Sequence, residues 1–501
     1  MRSKKALKNV IFSLSQQIIA IICGFVVPRL IIKTYGSECN GLITSITQFL
    51  AYITLLEAGV GPVIKSQLYK PIAKKDKEEI QSILYASEKY FRFIAVVFLI
   101  YIGAMLVFYP MFVETSFTRL FSSVLIIIIS ISSFAEYFFG MTYKLFLHSD
   151  QKSYVVSIIQ TITTVLNAVI IVVLALNNVS ILIVKTLSSL VFVARPLLQA
   201  FYVRKHYSFD FSSVDKDYKL KNKWDGLAQH IAAIIYANTD VAILTIFSSV
   251  VYVSIYSVYN LVTSSLQKII QSISDGIDAS FGDIIAKKEQ ENLQIAFHRY
   301  EVIYYSLIAV IYSCTFSLII PFVRVYTMEI KDANYNLPLF GVVIVLASFV
   351  YSIKMPYHSL VKTAGAFRQT NKGAWLEAIL NLSISIFFVF NYGLIGVVIG
   401  TFVSTLVRTI ELILYVSKNI VQTKIMESLK KIMLCVVEVA ASSFAIHFLI
   451  KSILLHNLFE FILLASVVFT ASAIFVLICN GIIYKDTFVE ILKRCRKKIK
   501  G

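Results

Sequence analysis

Glu57, Glu136, Lys185, Arg195, Asp240, Glu438 and Asp275 stand inside long apolar runs of the sequence or at their ends. An ionised group at mid-bilayer costs roughly 2.5–3.5 kcal/mol on insertion scales, so it faces a hydrated pathway or a partner. Carboxylates there can take up a cation; Glu57, Glu136 and Asp240 are the candidates for ion coupling, by H+ or Na+. Basic groups can hold an anion, which makes Arg29, Lys185 and Arg195 candidates for substrate binding. Arginine adds a planar fork that holds phosphate bidentately. Pro28 just before Arg29 can kink the helix and free backbone groups. The competing reading is helix-to-helix pairing, or for Arg29 an ordinary lipid headgroup. Arg408 and Glu411, three apart on one helix face, read as a mutual pair and are set aside.

Two polar stripes reinforce the charges. Thr44, Gln48 and Tyr52 recur every four residues, and Asn260, Ser264, Gln267, Gln271 and Asp275 every three or four. Each spacing keeps its set on one helical face. Hydrocarbon offers no hydrogen bonds, so neither stripe suits a lipid-facing position. Both are read as walls of a cavity; the alternative is packing between helices. Other chemistry finds no support. The six cysteines show no CxxC or Cys/His ligand spacing, which leaves no zinc site or disulfide framework. No GxxxxGK[ST] and no HExxH occur, so neither a P-loop ATPase nor a metalloprotease is indicated, and no cofactor is expected.

The elements that position these residues follow from composition. Of 501 residues 57% are hydrophobic and 15% charged, with mean hydropathy +0.76. Soluble domains carry about 25% charge, so this chain cannot cover a water-facing surface. Spans of about 20 apolar residues recur from end to end. About 14 are expected, over 9–32, 41–66, 90–110, 119–147, 153–176, 179–204, 225–248, 249–276, 301–322, 337–360, 373–391, 393–416, 429–451 and 456–483. The first run is read as a retained helix because it is longer than a signal peptide's.

The net charge of +18 does not point to nucleic acid, because Lys and Arg cluster in short loops such as Lys70–Lys77, Arg204–Lys223 and Lys493–Lys500. With the N-terminus cytoplasmic, roughly 40 of the 47 Lys and Arg fall at cytoplasmic ends. The remainder are Arg29, Lys33, Arg119, Lys185, Arg324, Lys331 and Lys451. Both termini are then cytoplasmic, and Trp224 and Trp375 fall at cytoplasmic helix starts.

The halves look related. Leu42–Gln48 (LITSITQ) answers Leu261–Gln267 (LVTSSLQ), and Ile72–Asp76 (IAKKD) answers Ile285–Glu289 (IAKKE), with a six-residue slip between the blocks. Six spans per half imply a parallel repeat enclosing a central site. The expected organisation is all-α and polytopic. Two pseudo-symmetric six-helix bundles, 1–210 and 211–425, surround a central cavity, and 426–501 adds two helices and a basic tail.

The run Arg29-Leu-Ile-Ile-Lys-Thr-Tyr-Gly36, then Gly41-Leu42, Leu56-Glu-Ala-Gly-Val-Gly-Pro62 and Ala73-Lys-Lys-Asp76 resembles the N-terminal signature of polysaccharide and O-antigen repeat-unit flippases. These belong to the multidrug/oligosaccharidyl-lipid/polysaccharide exporter superfamily. The Tyr252–Lys288 stretch resembles the corresponding element of the second half. The resemblance covers about 90 residues and implies a non-enzymatic flippase of the bacterial cytoplasmic membrane. Its substrate would be an undecaprenyl-pyrophosphate-linked oligosaccharide for capsule or O-antigen, moved by alternating access. Membrane lipid, a polysaccharide polymerase and glycosyltransferases would be its partners. The rivals are a cell-wall-precursor flippase, a cation-coupled drug antiporter and, less favoured because the outer loops are short, a membrane glycan ligase or polymerase.

Overall fold

The computed structural model describes residues 2–57, 59–209, 214–215, 218, 227–451 and 453–485. Trp224, Cys495, the basic tail Lys493–Lys500 and part of the Arg204–Lys223 run lie outside them. Among the described residues the fold is helical throughout. The chain divides into two compact units, Met1–Ser257 and Val258–Gly501.

The N-terminal unit holds α1 (Arg2–Tyr35), α2 (Ser37–Ala51), α3 (Thr54–Glu57), α4 (Val60–Lys74), α5 (Lys77–Phe112), α6 (Arg119–Ala135), α7 (Met141–Ser149), α8 (Ser153–Leu176), α9 (Ile181–His206), α10 (Leu227–Phe247) and the start of α11 (Val250–Ala286). The C-terminal unit holds the rest of α11, then α12 (Gln290–Tyr326), α13 (Pro338–Thr363), α14 (Phe367–Asn419), α15 (Ile425–Ile450) and α16 (Leu458–Ile483). Among the described residues, twelve helices or joined helical segments are long and apolar enough to cross a membrane. Large apolar side chains stand outward along them, with Leu120 and Ile482 each 74% exposed. A water-facing surface of that kind would aggregate. The protein is a multi-pass membrane protein.

Four expected spans depart from simple helices. The 41–66 span is α2, α3 and α4 in succession, broken around Tyr52–Ile53 and at Gly59, whose φ of 81° is a left-handed conformation suited to glycine. The 119–147 span is interrupted by a π-helical turn, Glu136–Gly140, between α6 and α7. The 373–391 and 393–416 spans form one element, α14, which turns at Gly393 (φ 50°, ψ −123°). Its two arms are bound by Asn381 donating to Thr401 Oγ1 at 2.9 Å and Ser385 donating to the Val397 carbonyl at 2.9 Å. A Cβ on Gly396 would lie 2.3 Å from the Phe388 carbonyl oxygen, and one on Gly400 2.1 Å from Ser385 Oγ. This small-xxx-small pair lets the arms approach closely.

Tyrosine hydroxyls close the gaps that breaks and prolines leave. Tyr101 donates to the Phe49 carbonyl at 2.8 Å and Tyr90 to that of Leu56 at 2.8 Å, both from α5 onto the broken span. In α13, Pro356 has no N–H to offer the Ser352 carbonyl one turn before it. Tyr304 of α12 donates to that carbonyl instead, at 2.7 Å. Outside the spans, Tyr207 donates to Asp150 Oδ2 and accepts from Lys152 Nζ at 2.6 Å, tying the α7–α8 turn to the end of α9. Burial and the Asp150 carboxylate push its phenol up.

Among the described residues the buried charges of the C-terminal unit are ion-paired except Glu438, which accepts from the neutral Asn480. Glu301 meets Lys431 at 2.6 Å and accepts from Tyr357 at 2.7 Å, fixing α15 to α12 and α13. Glu377 meets Lys354 at 2.6 Å, with Arg408 3.8 Å away. Arg408 also pairs with Glu411 at 2.5 Å, as the sequence spacing indicates, and donates to the Thr370 carbonyl at 2.8 Å.

The Ser352 carbonyl supplies a test. Tyr304→Phe leaves it without its donor and is expected to cost about 1–3 kcal/mol in unfolding experiments in detergent. Pro356→Ala returns a helical N–H, so Tyr304→Phe should cost less in that background. Strictly additive effects of the two substitutions would refute the compensation.

Candidate functional site

Two polar constellations lie in the N-terminal unit. The first is a seam along α2. Asn40 donates to Ser254 Oγ at 2.8 Å and to Ser257 Oγ at 3.3 Å on α11. Ser45 Oγ accepts from Tyr109 of α5 and from Thr245 of α10, each at 2.8 Å. Gln48 donates to the Asn238 side chain, and Tyr52 donates to the Asn238 carbonyl at 3.2 Å. Gly41 permits the approach: a Cβ there would sit 1.6 Å from the Val250 carbonyl oxygen. Asp240, buried on α10, accepts from Tyr256 at 2.9 Å.

The second constellation surrounds the break in the same span. Glu57 ends α3, and its Oε2 accepts from Tyr137 of the π turn at 3.4 Å. Glu136, which opens that turn, pairs with Lys144 of α7 at 2.9 Å. Lys65 on α4 is within electrostatic reach of Lys144 and Glu57, and His148 within reach of both lysines. All five ionisable groups are half-buried. Among the described residues Lys65 makes no ion pair or hydrogen bond. The cluster therefore sets two ammonium groups and an imidazole against two carboxylates, at a place where the backbone is already interrupted. Cations held this way attract an anion, and carboxylates compete with it for the same cations.

The remaining sequence candidates are distributed as follows. Arg29 and Thr44 are half-buried on α1 and α2. Lys185, half-buried on α9, lies within electrostatic reach of Cys39 and has no ion pair among the described residues. Arg195 donates to Thr163 at 2.7 Å and Thr164 at 2.8 Å and stacks on Phe192, which engages its guanidinium in the α8–α9 packing. Asn260, Ser264 and Gln271 are half-buried on the C-terminal-unit part of α11. Asn260 Oδ1 accepts from Thr263 at 3.3 Å, and Gln267 between them donates to Ser348 of α13 at 3.2 Å. Glu438 accepts from Asn480 at 2.6 Å and Asp275 pairs with Lys362 at 2.9 Å.

Sequence reasoning passed over Lys65, Lys144 and His148. The available signal was their cationic character near the ends of the spans that carry Glu57 and Glu136.

No protein-family model and no curated protein matches the chain. Its fold is similar to a structure described as the lipid II flippase MurJ in an inward closed conformation. The TM-score is 0.67 at 14% identity, over 96% of this chain and 100% of that one. It is also similar to an inward-facing multidrug resistance MATE family transporter of the MOP superfamily, with TM-score 0.64 and 14% identity over 83% of this chain and 96% of that one. An outward-facing structure of a MATE family transporter matches at TM-score 0.53 and 14% identity over the same shares. The likeness is one of fold.

Gly41→Val should drive α2 away from α11 and lower stability by about 1–3 kcal/mol, the usual cost of overpacking. Gly103→Val is the control, since a Cβ there meets nothing within 4 Å. Equal unfolding midpoints for the two variants would show that the close approach at Gly41 is not needed.

Proposed function

We propose that this protein is a transporter that flips a lipid-linked oligosaccharide, joined through an anionic pyrophosphate, across the bacterial cytoplasmic membrane for capsule or O-antigen assembly. The observation that carries this reading is the Lys65–Lys144–His148 cluster around the broken span bearing Glu57. Fold likeness to flippases and multidrug transporters supports transport by alternating access. A drug antiporter for cationic substrates would favour a net-acidic site, whereas here Lys65 and Lys144 offset the two carboxylates Glu57 and Glu136.

In this mechanism the lysines hold the pyrophosphate while Glu57 or Glu136 takes a coupling cation, H+ or Na+. Neutralising a carboxylate frees its share of the lysine charge, so cation uptake favours anion binding and cation loss favours release. Such coupling is reciprocal by thermodynamic linkage. Arg29, toward the opposite end of the neighbouring span from Lys65, would offer its planar fork to the anion at the other side of the pathway. A cell-wall-precursor flippase is the second reading, favoured by a likeness that spans all of the MurJ chain.

Deletion of the gene should leave the lipid-linked oligosaccharide on the cytoplasmic face; accumulation of the cell-wall precursor instead would select the second reading. At equal membrane abundance, Lys65→Ala should slow export roughly tenfold or more, the size of one lost charge-assisted hydrogen bond. Arg29→Lys should weaken export and Arg29→Ala weaken it further. Wild-type export by Lys65→Ala would remove the anion site from this cluster.

The orientation belongs to the same proposal. With α4–α5 and α11–α12 turns cytoplasmic, cysteines placed at Lys75 and Lys288 should escape an impermeant thiol reagent in intact cells. Labelling at either position would reverse the orientation.

A further inference from the structure

Among the described residues three glutamates of the C-terminal unit are buried, and one of them lacks a cation. Glu301 is held by Lys431 and Glu377 by Lys354. Glu438, midway along α15, is 3% exposed, and its partner is an amide: Asn480 of α16 donates to its Oε1 at 2.6 Å. Glu438 makes no ion pair and no other hydrogen bond among the described residues.

The elements packed on α15 leave it without a counter-charge. From α12 come Glu301, which engages Lys431, and Tyr305, whose carbonyl accepts from Cys435 Sγ at 3.5 Å. From α16 come Cys479 and, just past its end, Tyr484, both within electrostatic reach of Glu438. Lys485 beyond them is exposed and makes no ion pair among the described residues. On α15 itself Cys435 is within reach, and Lys431, two turns earlier, belongs to Glu301. The α14 helix also packs on α15 and places no charged group against Glu438.

The hydrogen-bond inventory of the seam is short of a donor. Asn480 gives its amide hydrogens to Glu438 Oε1 and, at 3.1 Å, to the Val476 carbonyl. Asn480 Oδ1 and Glu438 Oε2 then accept from no described residue. One turn along, the seam continues in neutral groups, with the Ser442 and Ser472 hydroxyls 3.4 Å apart. An ionised carboxyl placed among such groups bears the full cost of a buried, unpaired charge, which a carboxyl avoids by taking a proton. A proton on Oε2 also turns an acceptor into a donor.

We propose that Glu438 is a proton-binding site in the α15–α16 seam, a neutral acid while α16 is packed on α15 and a carboxylate once water enters between them. Uptake brings a proton from water to Oε2, and release returns it to water. Proton binding and closure of the seam are thereby linked. The site is separate from the Glu57 cluster and does not depend on which substrate is moved.

The test is the infrared difference spectrum of the full chain in lipid membranes at neutral pH, parent minus Glu438→Gln. The parent should show the carbonyl stretch of an undissociated carboxylic acid, and the variant should lack it. Asn480→Leu should keep the band and shift it to higher frequency, because the acid's carbonyl oxygen loses its donor. A carboxylate that merely tied the two helices together would give no such band, so identical spectra of parent and Glu438→Gln would overturn the site. Where Glu438→Gln does not reach the membrane, Glu438→Asp takes its place, and a band left unshifted by it would overturn the assignment to this residue. The link to the seam is read from unfolding midpoints in detergent. The packed seam keeps a proton that the unfolded chain gives up to water, so the stability it contributes is present at low pH and lost as the pH rises. The parent midpoint should therefore fall more steeply toward alkaline pH than that of Glu438→Gln, and equal slopes would overturn the link.

Discussion

A carbonyl freed inside a membrane helix must find a donor within the protein, because hydrocarbon supplies none. This constraint governs where the helices of this chain can break. The span that becomes α2, α3 and α4 loses its regular hydrogen bonds around Tyr52 and Gly59, and α5 answers with Tyr101 and Tyr90. Pro356 removes one donor from α13, and α12 answers with Tyr304. Tyrosine suits the task because a mostly apolar ring carries a single hydroxyl, which packs in a lipid-embedded bundle and ends in a donor. The 28 tyrosines of the sequence thus include several that act as backbone partners.

The break in the N-terminal unit has a further consequence. An unbroken helix would space Tyr52 and Glu57 by its own pitch, whereas the interruption gives α2 and α4 separate axes. Above the break, α2 presents Asn40, Ser45 and Gln48 to α10 and α11 through neutral hydrogen bonds. Below it, Glu57 and Lys65 join the charged side chains of the π turn and α7. Single-turn π segments add one residue to a helix and commonly mark functional positions. Here the extra residue brings Tyr137 and Glu136 to the same cluster. A neutral seam and a charged cluster on one span can respond to different events, the first to helix separation and the second to ion or anion binding.

The spans and their helical character were legible because apolar runs of membrane length admit few alternatives. Arg408–Glu411 was legible because the two lie on one helical face. Pairs drawn from different helices were not: Lys354 with Glu377, Glu301 with Lys431, and Glu136 with Lys144 are joined only by packing. Lys354 and Lys144 looked like span-end charges, and span ends are where lysines are expected for topology alone. The polar stripe at Thr44, Gln48 and Tyr52 was visible, but its hydrogen-bonded partner Asn238 lies 190 residues from Gln48 and leaves no local mark. The break was equally hidden, since no proline stands at Tyr52–Glu57 and Gly59 alone is a weak signal.

The distribution of charge carries the synthesis one step further. In the C-terminal unit Glu301, Glu377 and Arg408 each meet an opposite charge while buried. Breaking a buried pair is far more costly than breaking an exposed one, so such pairs resist rearrangement. In the N-terminal unit the acids and bases of the Glu57 cluster are half-buried, and Lys65 has no ion pair among the described residues. A half-buried charge retains part of its hydration and can exchange partners at smaller cost. A site that must bind an ion, hold an anion and let both go requires charges of the second kind. On that ground the Glu57 cluster is the arrangement suited to binding and release, while the buried pairs of the C-terminal unit suit holding their helices in place.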